Sequence, residues 1–407
     1  MRNDIFHHTP LVPIDGLSYP TLFNEPGECS GSATEITPEF ALKLGYACSG
    51  IFNRISICAT EHGICQLLLC AFISGAGISG AQILKNDADF YAAASYVALA
   101  FDFELTVFIE NDGTKLRIHL IDKNGFPIKE DTQRKIVSNF GTNASFTITD
   151  IQVSNSIHGT KEFFASNFKQ SHSSKGLAVA IRGNTSSAKV LKHTLSLCGC
   201  EIVQKEKCNL LFDISSDGLK LRIRDEKHIW HDESHISALV AYLFFSNNKK
   251  TLAIDADAPN VIEQIASDCG GRVLRIGRDK NAEETFKKQH ILRNAVADAV
   301  YLCSYLSSSK EPLFSLMKKL PDFILISQEV NVKSDKHEII SHFAELKNGL
   351  YKENAESLRI CADGGWINIT PSRTGRALRI TAESFNEEIA SELCKLYVER
   401  TRHFDNT

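Results

Sequence analysis

The sequence contains no long apolar run, no stretch dense in one charge and no repeated Cys-x-x-Cys pair, and each absence removes a class of function. No apolar segment approaches the roughly 20 residues that a membrane-spanning helix needs. The formal net charge is −4 and the basic residues are scattered, so neither nucleic acid nor an anionic membrane is expected as a main partner. Twelve cysteines run from Cys29 to Cys394, but without paired spacing they carry no zinc signature. Met1 is followed by Arg2, Asn3 and Asp4 rather than by apolar residues, so no secretory leader is read. The expectation is a cytoplasmic protein whose thiols are reduced and buried as small hydrophobes. The one close pair, Cys198-Gly199-Cys200, reads as a helix end capped by Gly199 and running into a strand; a redox pair is the alternative.

What is present is ordinary globular material. Hydrophobic residues make up 43% and charged residues 23%, enough for several cores. A chain of 407 residues suggests about two to four domains at roughly 100–200 residues each. Thr37-Pro38-Glu39 opens a helix: threonine caps, proline takes the first helical position and an acid follows. Ile64, Leu67, Leu68, Ala71 and Phe72 have helical spacing and predict one buried face. Strands are expected at Leu105–Ile109 and Leu116–Ile121, with turns at Glu110–Gly113 and Asp122–Gly125. Strand–helix alternation recurs from Gly176 and again from Thr251, which argues for mainly parallel sheets. The last block differs. Leu358–Cys361 and Trp366–Ile369 read as a hairpin, and Leu378–Thr381 as a third strand. Ser384-Phe-Asn-Glu387 then resembles a capping box before a helix expected to bury Ile389, Leu393 and Leu396.

That order resembles the phosphohexomutases, the phosphoglucomutase and phosphomannomutase superfamily. Four pieces carry the resemblance: Ile36–Gly45, Asp122–Pro127, the hairpin Asn209–Ile223 with Asp225-Glu226, and above all Gly365–Ser384. The last contains Thr370-Pro-Ser-Arg-Thr-Gly-Arg376, similar to the family's phosphate-binding loop. The resemblance implies an α/β chain of three related α/β domains with mixed sheets plus a C-terminal α+β, TBP-like domain, arranged around a cleft. The expected bounds are 1–150 for the first domain, 151–247 for the second with a degenerate metal loop, 248–328 for the third without its sugar loop, and 329–407 for the fourth.

The family's chemistry needs a hydroxyl nucleophile, a divalent cation on oxygen ligands, and donors that grip phosphate and sugar. The resemblance places the nucleophile between the helix near Ala100 and Asp122, and that interval holds no serine. Thr106 and Thr114 are the remaining hydroxyls, and both read as structural. The metal loop reads Asp213-Ile-Ser-Ser-Asp-Gly218, so Asp213, Ser215 and Asp217 are the candidate ligands for Mg²⁺, against a plain Ser/Asp/Gly turn. No sugar-gripping motif follows Ile276; Glu283 and Glu284 read as helix-surface charges. The phosphate grip is the best preserved part: Ser372, Arg373, Thr374 and Arg376 offer hydroxyls and guanidinium forks to an oxyanion. His228, His231 and His235 have helical metal-ligand spacing, but the segment also reads as a strand-to-helix link capped by Asp232 or Ser234.

The resemblance, with these groups missing, therefore implies a phosphohexomutase-like protein of carbohydrate metabolism without phosphoryl transfer. Its expected ligand is a hexose phosphate or a phosphate anion. Its expected protein partner is an active mutase or a sugar nucleotidyltransferase. The alternative is an active intramolecular phosphotransferase with displaced residues.

Overall fold

Local chemistry sets the first elements. In this computed structural model the described residues are 22–78, 80–140, 153–157, 159–169, 174–247, 249–334, 336–346, 358–362, 364–371 and 377–405. They fall into two compact units divided between Phe164 and Ala165. In the first, β1 (Phe23–Glu25) and β2 (Glu28–Gly31) precede α1 (Pro38–Ser49), where the Thr37 hydroxyl accepts the Phe40 N–H at 3.2 Å. Then come β3 (Arg54–Ala59), α2 (Gly63–Ile78), β4 (Gln82–Asn86), α3 (Tyr91–Phe101), β5 (Leu105–Asn111), β6 (Leu116–Asp122), α4 (Glu130–Phe140), β7 (Val153–Ile157) and α5 (Thr160–Lys169), the last crossing the division. One seven-stranded sheet joins them in the order β1-β2-β6-β5-β3-β4-β7. Strands β5, β3, β4 and β7 run parallel, while β6, β2 and β1 are antiparallel additions. The sheet is thus mixed, and through β7 it extends past residue 150.

Helix α2 corrects one expectation. Its buried residues are Cys65, Leu68, Leu69, Phe72 and Ala76, while Leu67 is 54% exposed. Ile64 and Ala71 also pack against this core, so the expected face is buried except at Leu67. Gly75 permits that packing: a Cβ there would lie 1.8 Å from the Leu42 carbonyl oxygen. Gly75→Ala is expected to cost about 2 kcal/mol or more in a urea titration, because backbone cannot yield as a side-chain tip can. Gly63→Ala, whose Cβ meets nothing within 4 Å, is the matched control and should stay within about 0.5 kcal/mol.

In the second unit, β8 (Ala178–Arg182), α6 (Ser186–Leu197), β9 (Glu201–Ile202), β10 (Leu210–Ile214), β11 (Leu221–Arg224), β12 (Trp230–His231) and α7 (Glu233–Ser246) form a five-stranded mixed sheet ordered β12-β11-β10-β8-β9. Gly199, at φ 94°, ends α6: its N–H donates to Ser196 O and the Cys200 N–H to Leu195 O, both at 3.0 Å. All twelve cysteines are free. Eight are buried and Cys208 is half-buried, but Cys70, Cys269 and Cys361 are exposed, contrary to uniform burial.

The third sheet has two parallel strands, β13 (Thr251–Ile254) and β14 (Arg272–Arg275), with α8 (Val261–Asp268) between them and α9 (Ala282–Lys288), α10 (Ala295–Ser309) and α11 (Leu313–Met317) after. The last sheet is antiparallel: β15 (Ile324–Asn331), α12 (Lys336–Leu346), β16 (Leu358–Ala362), β17 (Gly365–Pro371), β18 (Ala377–Ser384) and α13 (Glu387–Asp405), ordered β15-β18-β17-β16. Two expectations fail at α13. The helix begins at Glu387, so the cap is Asn386, whose Oδ1 accepts the Glu388 N–H at 2.8 Å; the Ser384 hydroxyl donates to the Gly364 carbonyl at 2.6 Å and accepts the Asn386 N–H at 3.2 Å instead. The buried stripe is Ala390, Cys394, Tyr397, Val398 and Thr401; Leu393 packs against the same core as expected and Ile389 is half-buried, but Leu396 is 41% exposed. Among the described residues no helix is long and apolar enough to cross a membrane.

Candidate functional site

The β5–β6 hairpin occupies the place where the nucleophile was sought. Its turn is closed by Asp112. Oδ1 accepts the Thr114 and Lys115 N–H groups at 2.8 Å and the Thr114 hydroxyl at 2.6 Å, and Oδ2 meets Arg117 Nη2 at 2.7 Å. Partial burial pushes the Asp112 carboxyl up, but the Thr114 hydroxyl, the Lys115 and Thr114 N–H groups and Arg117 outweigh it and bring it down to about 2. Thr114 is therefore spent on its own turn, and Thr106 is buried within β5. Glu110 is held by His119 Nε2 at 2.9 Å, and Arg117 Nη1 lies 3.8 Å away.

The loop after β10 is also closed on itself. The Ser215 hydroxyl donates to Asp217, whose Oδ1 also accepts the Leu219 N–H at 3.0 Å. Ser215 Oγ accepts the Lys220 N–H at 2.9 Å, and Gly218 sits at φ 76°. Asp213 faces Arg182 Nη1 at 3.7 Å. These donors fit Mg²⁺ poorly, since Ser215 and Asp217 turn toward each other and Asp213 toward a guanidinium. Among the described residues no three His, Cys, Asp or Glu side chains converge on a metal-sized site.

Beyond β14, Glu284 pairs with Lys288 at 2.6 Å on the surface of α9, which also carries Glu283. The loop that follows is strapped to the core. Gln289 exchanges two hydrogen bonds with Ala253, at 3.0 and 2.7 Å. Leu292, at φ 56°, donates its N–H to Asp298 at 2.6 Å. Burial pushes the Asp298 carboxyl up to about 7, with the Leu292 N–H as a counterweight.

The three histidines separate. His228 lies in a turn at φ 66°, and His231 Nε2 meets the buried Asp225 at 2.9 Å. His235 Nδ1 meets Asp232 at 2.8 Å, and its ring stacks on Phe323 with centroids 4.4 Å apart. Asp232 is the N-cap of α7. Ser372, Arg373, Thr374 and Arg376 lie outside the described residues; the flanking strands pair down to Pro371 with Leu378.

Two features went unread in the sequence. One is a pocket of about 480 Å³ lined by Arg222, Trp230, His231, His235, Leu325 and Ser327, among others. The other is a charged cluster in which Arg275 and Arg359 share Glu263, while Glu383 caps α8 through the Asn260 and Val261 N–H groups at 2.6 and 2.8 Å. Trp230 among histidines was a local signal for the first. The second joins residues 123 positions apart and has no local signal.

A phosphoglucosamine mutase from Methanocaldococcus jannaschii is 21% identical over 180 residues, 39% of this chain and 40% of that protein. A phosphopentomutase from Thermococcus kodakarensis is 27% identical over 219 residues, 48% and 49% of the two chains. The solved structure of a phosphoglucomutase/phosphomannomutase family protein from Burkholderia thailandensis matches with a TM-score of 0.73 at 12% identity, covering 94% of this chain and 96% of that one. Over these stretches the chain is similar in sequence to curated phosphohexomutases, and its fold is that of the solved family structure. It spans less than half the length of the curated relatives it matches, and no protein-family model matches it. The phosphohexomutase fold is thus present over nearly the whole chain, as a mixed α/β architecture.

Proposed function

We propose that this phosphohexomutase-like chain has lost phosphoryl transfer and retains recognition of a sugar phosphate or phosphate anion, through Ser372, Arg373, Thr374 and Arg376. One observation carries the reading. The hairpin that follows β5 holds its only hydroxyl, Thr114, against Asp112, so no hydroxyl there stands ready to carry a phosphoryl group. The poor fit of Asp213, Ser215 and Asp217 to a divalent cation supports it, and no catalytic step is derived through a metal.

A coupled assay tests the proposal. Glucose, mannose and glucosamine phosphates are supplied with Mg²⁺ and a bisphosphate activator. The expected result is no turnover above background. Turnover that disappears in Asp213→Ala would sink the proposal and favour an active mutase. In calorimetric titration, a hexose phosphate should bind the wild type and weaken at least tenfold in Arg373→Ala/Arg376→Ala. An unchanged isotherm would remove the phosphate loop from the reading.

A further inference from the structure

The pocket between the β11–β12 edge and β15 is walled mostly by groups that already have partners. Asp232 is bonded to His235, and His231 to Asp225. Glu233 is paired with Lys220 at 2.7 Å. Arg222 is different. Its guanidinium lies over the Trp230 ring, 5.2 Å from the centroid, and has no hydrogen-bond or ion-pair partner among the described residues. A guanidinium held flat on an indole keeps its N–H fork free at the ring edge, a geometry that matches carboxylate and phosphate oxygens. Trp230 is 37% exposed, so the same wall offers an apolar face. Ser234 and Ser327 complete the lining, the Ser327 hydroxyl being bonded to that of Thr381 at 2.6 Å, and the volume of about 480 Å³ suits a ligand of one or two rings.

We propose that this pocket binds a small ring-bearing organic anion, its carboxylate or phosphate on Arg222 and its ring against Trp230. The site lies apart from the strand ends that flank Ser372–Arg376. Ser327 pairs with Thr381, whereas the strand end flanking Ser372–Arg376 pairs Asn331 with Ala377, four residues or about 14 Å further along β15. The inference therefore stands or falls independently of the function proposed above.

The chain has two tryptophans, Trp230 and Trp366. Trp366→Phe leaves Trp230 as the sole indole reporter, and Arg373→Ala/Arg376→Ala in the same chain removes the loop arginines. The emission of this variant is titrated with inorganic phosphate, glucose 6-phosphate and benzoate. A saturable change is expected with at least one ring-bearing anion. It should weaken at least tenfold in Arg222→Gln and less in Arg222→Lys, which keeps charge but loses the fork. Saturation by glucose 6-phosphate alone assigns a sugar phosphate, and by benzoate alone an aromatic carboxylate. No saturable change with any probe, the same change in Arg222→Gln, or equal binding of inorganic phosphate would overturn the proposal.

Discussion

Arg275→Ala is expected to destabilise the second unit by roughly 3–5 kcal/mol, the range for stripping one partner from a buried charged network. Arg275 is 3% exposed. Its Nη1 donates to the carbonyls of Asp255, Ala256 and Ala258 at 3.2, 3.0 and 2.8 Å. Its Nη2 reaches Asn260 Oδ1 at 3.2 Å and its Nε reaches Glu263 at 3.2 Å. Alanine would leave the carbonyls of Asp255, Ala256 and Ala258 facing a void. It would also remove positive charge beside Glu263 and Glu383. Burial already pushes the Glu383 carboxyl up, against the pull of the Asn260 and Val261 N–H groups and the two arginines. Arg275→Lys should recover only part of the loss, because one ammonium cannot reach acceptors spread over a planar fork. Urea unfolding of the full chain measures both variants. A loss under about 1 kcal/mol for alanine would show that the network is not the clamp described.

The second large effect is a gain. Asp298→Asn should stabilise the protein by about 3–4 kcal/mol at pH 8 and by little at pH 4. A folded carboxyl pushed up to about 7, against an unfolded value near 4, favours the protonated form in the fold. Its contribution to stability is fully present below about pH 4 and is lost as the pH rises to 7, at about 1.4 kcal/mol per unit. Asparagine mimics the neutral acid and still accepts the Leu292 N–H. Denaturant titrations of both proteins at the two pH values should give lines that converge in acid. A difference independent of pH would disprove a buried carboxyl that titrates near neutrality.

Local signals in the sequence proved readable and distant ones did not. The Thr37 cap, the Asp122 turn, the Asp112 hairpin and the Gly199 helix stop each depend on residues within four positions, and each formed as expected. The expected faces of α2 and α13 meet the core except at Leu67 and Leu396, which stand beside buried apolar residues, so tertiary neighbours decide where the buried side ends. Strand β7 completes the first sheet beside β4, a parallel pairing that no short-range pattern encodes. The site divided the same way. That the nucleophile interval lacks serine is plain from the residues alone. That Ser215 and Asp217 bond to each other, that Arg222 rests on Trp230 and that Ser327 of β15 lines the same pocket required coordinates.

The Glu383 cap has a consequence for the order in which the chain can be finished. Two parallel strands and their helices make a poor independent structure. Here the N–H groups opening α8 wait for a carboxylate that is synthesised more than 100 residues later. On the ribosome, the segment from Thr251 to Arg275 must emerge without its cap and without Arg359 beside Glu263. A strand made later thus locks an earlier helix. A nascent chain halted before β18 should expose α8 to proteases that spare it in the completed protein.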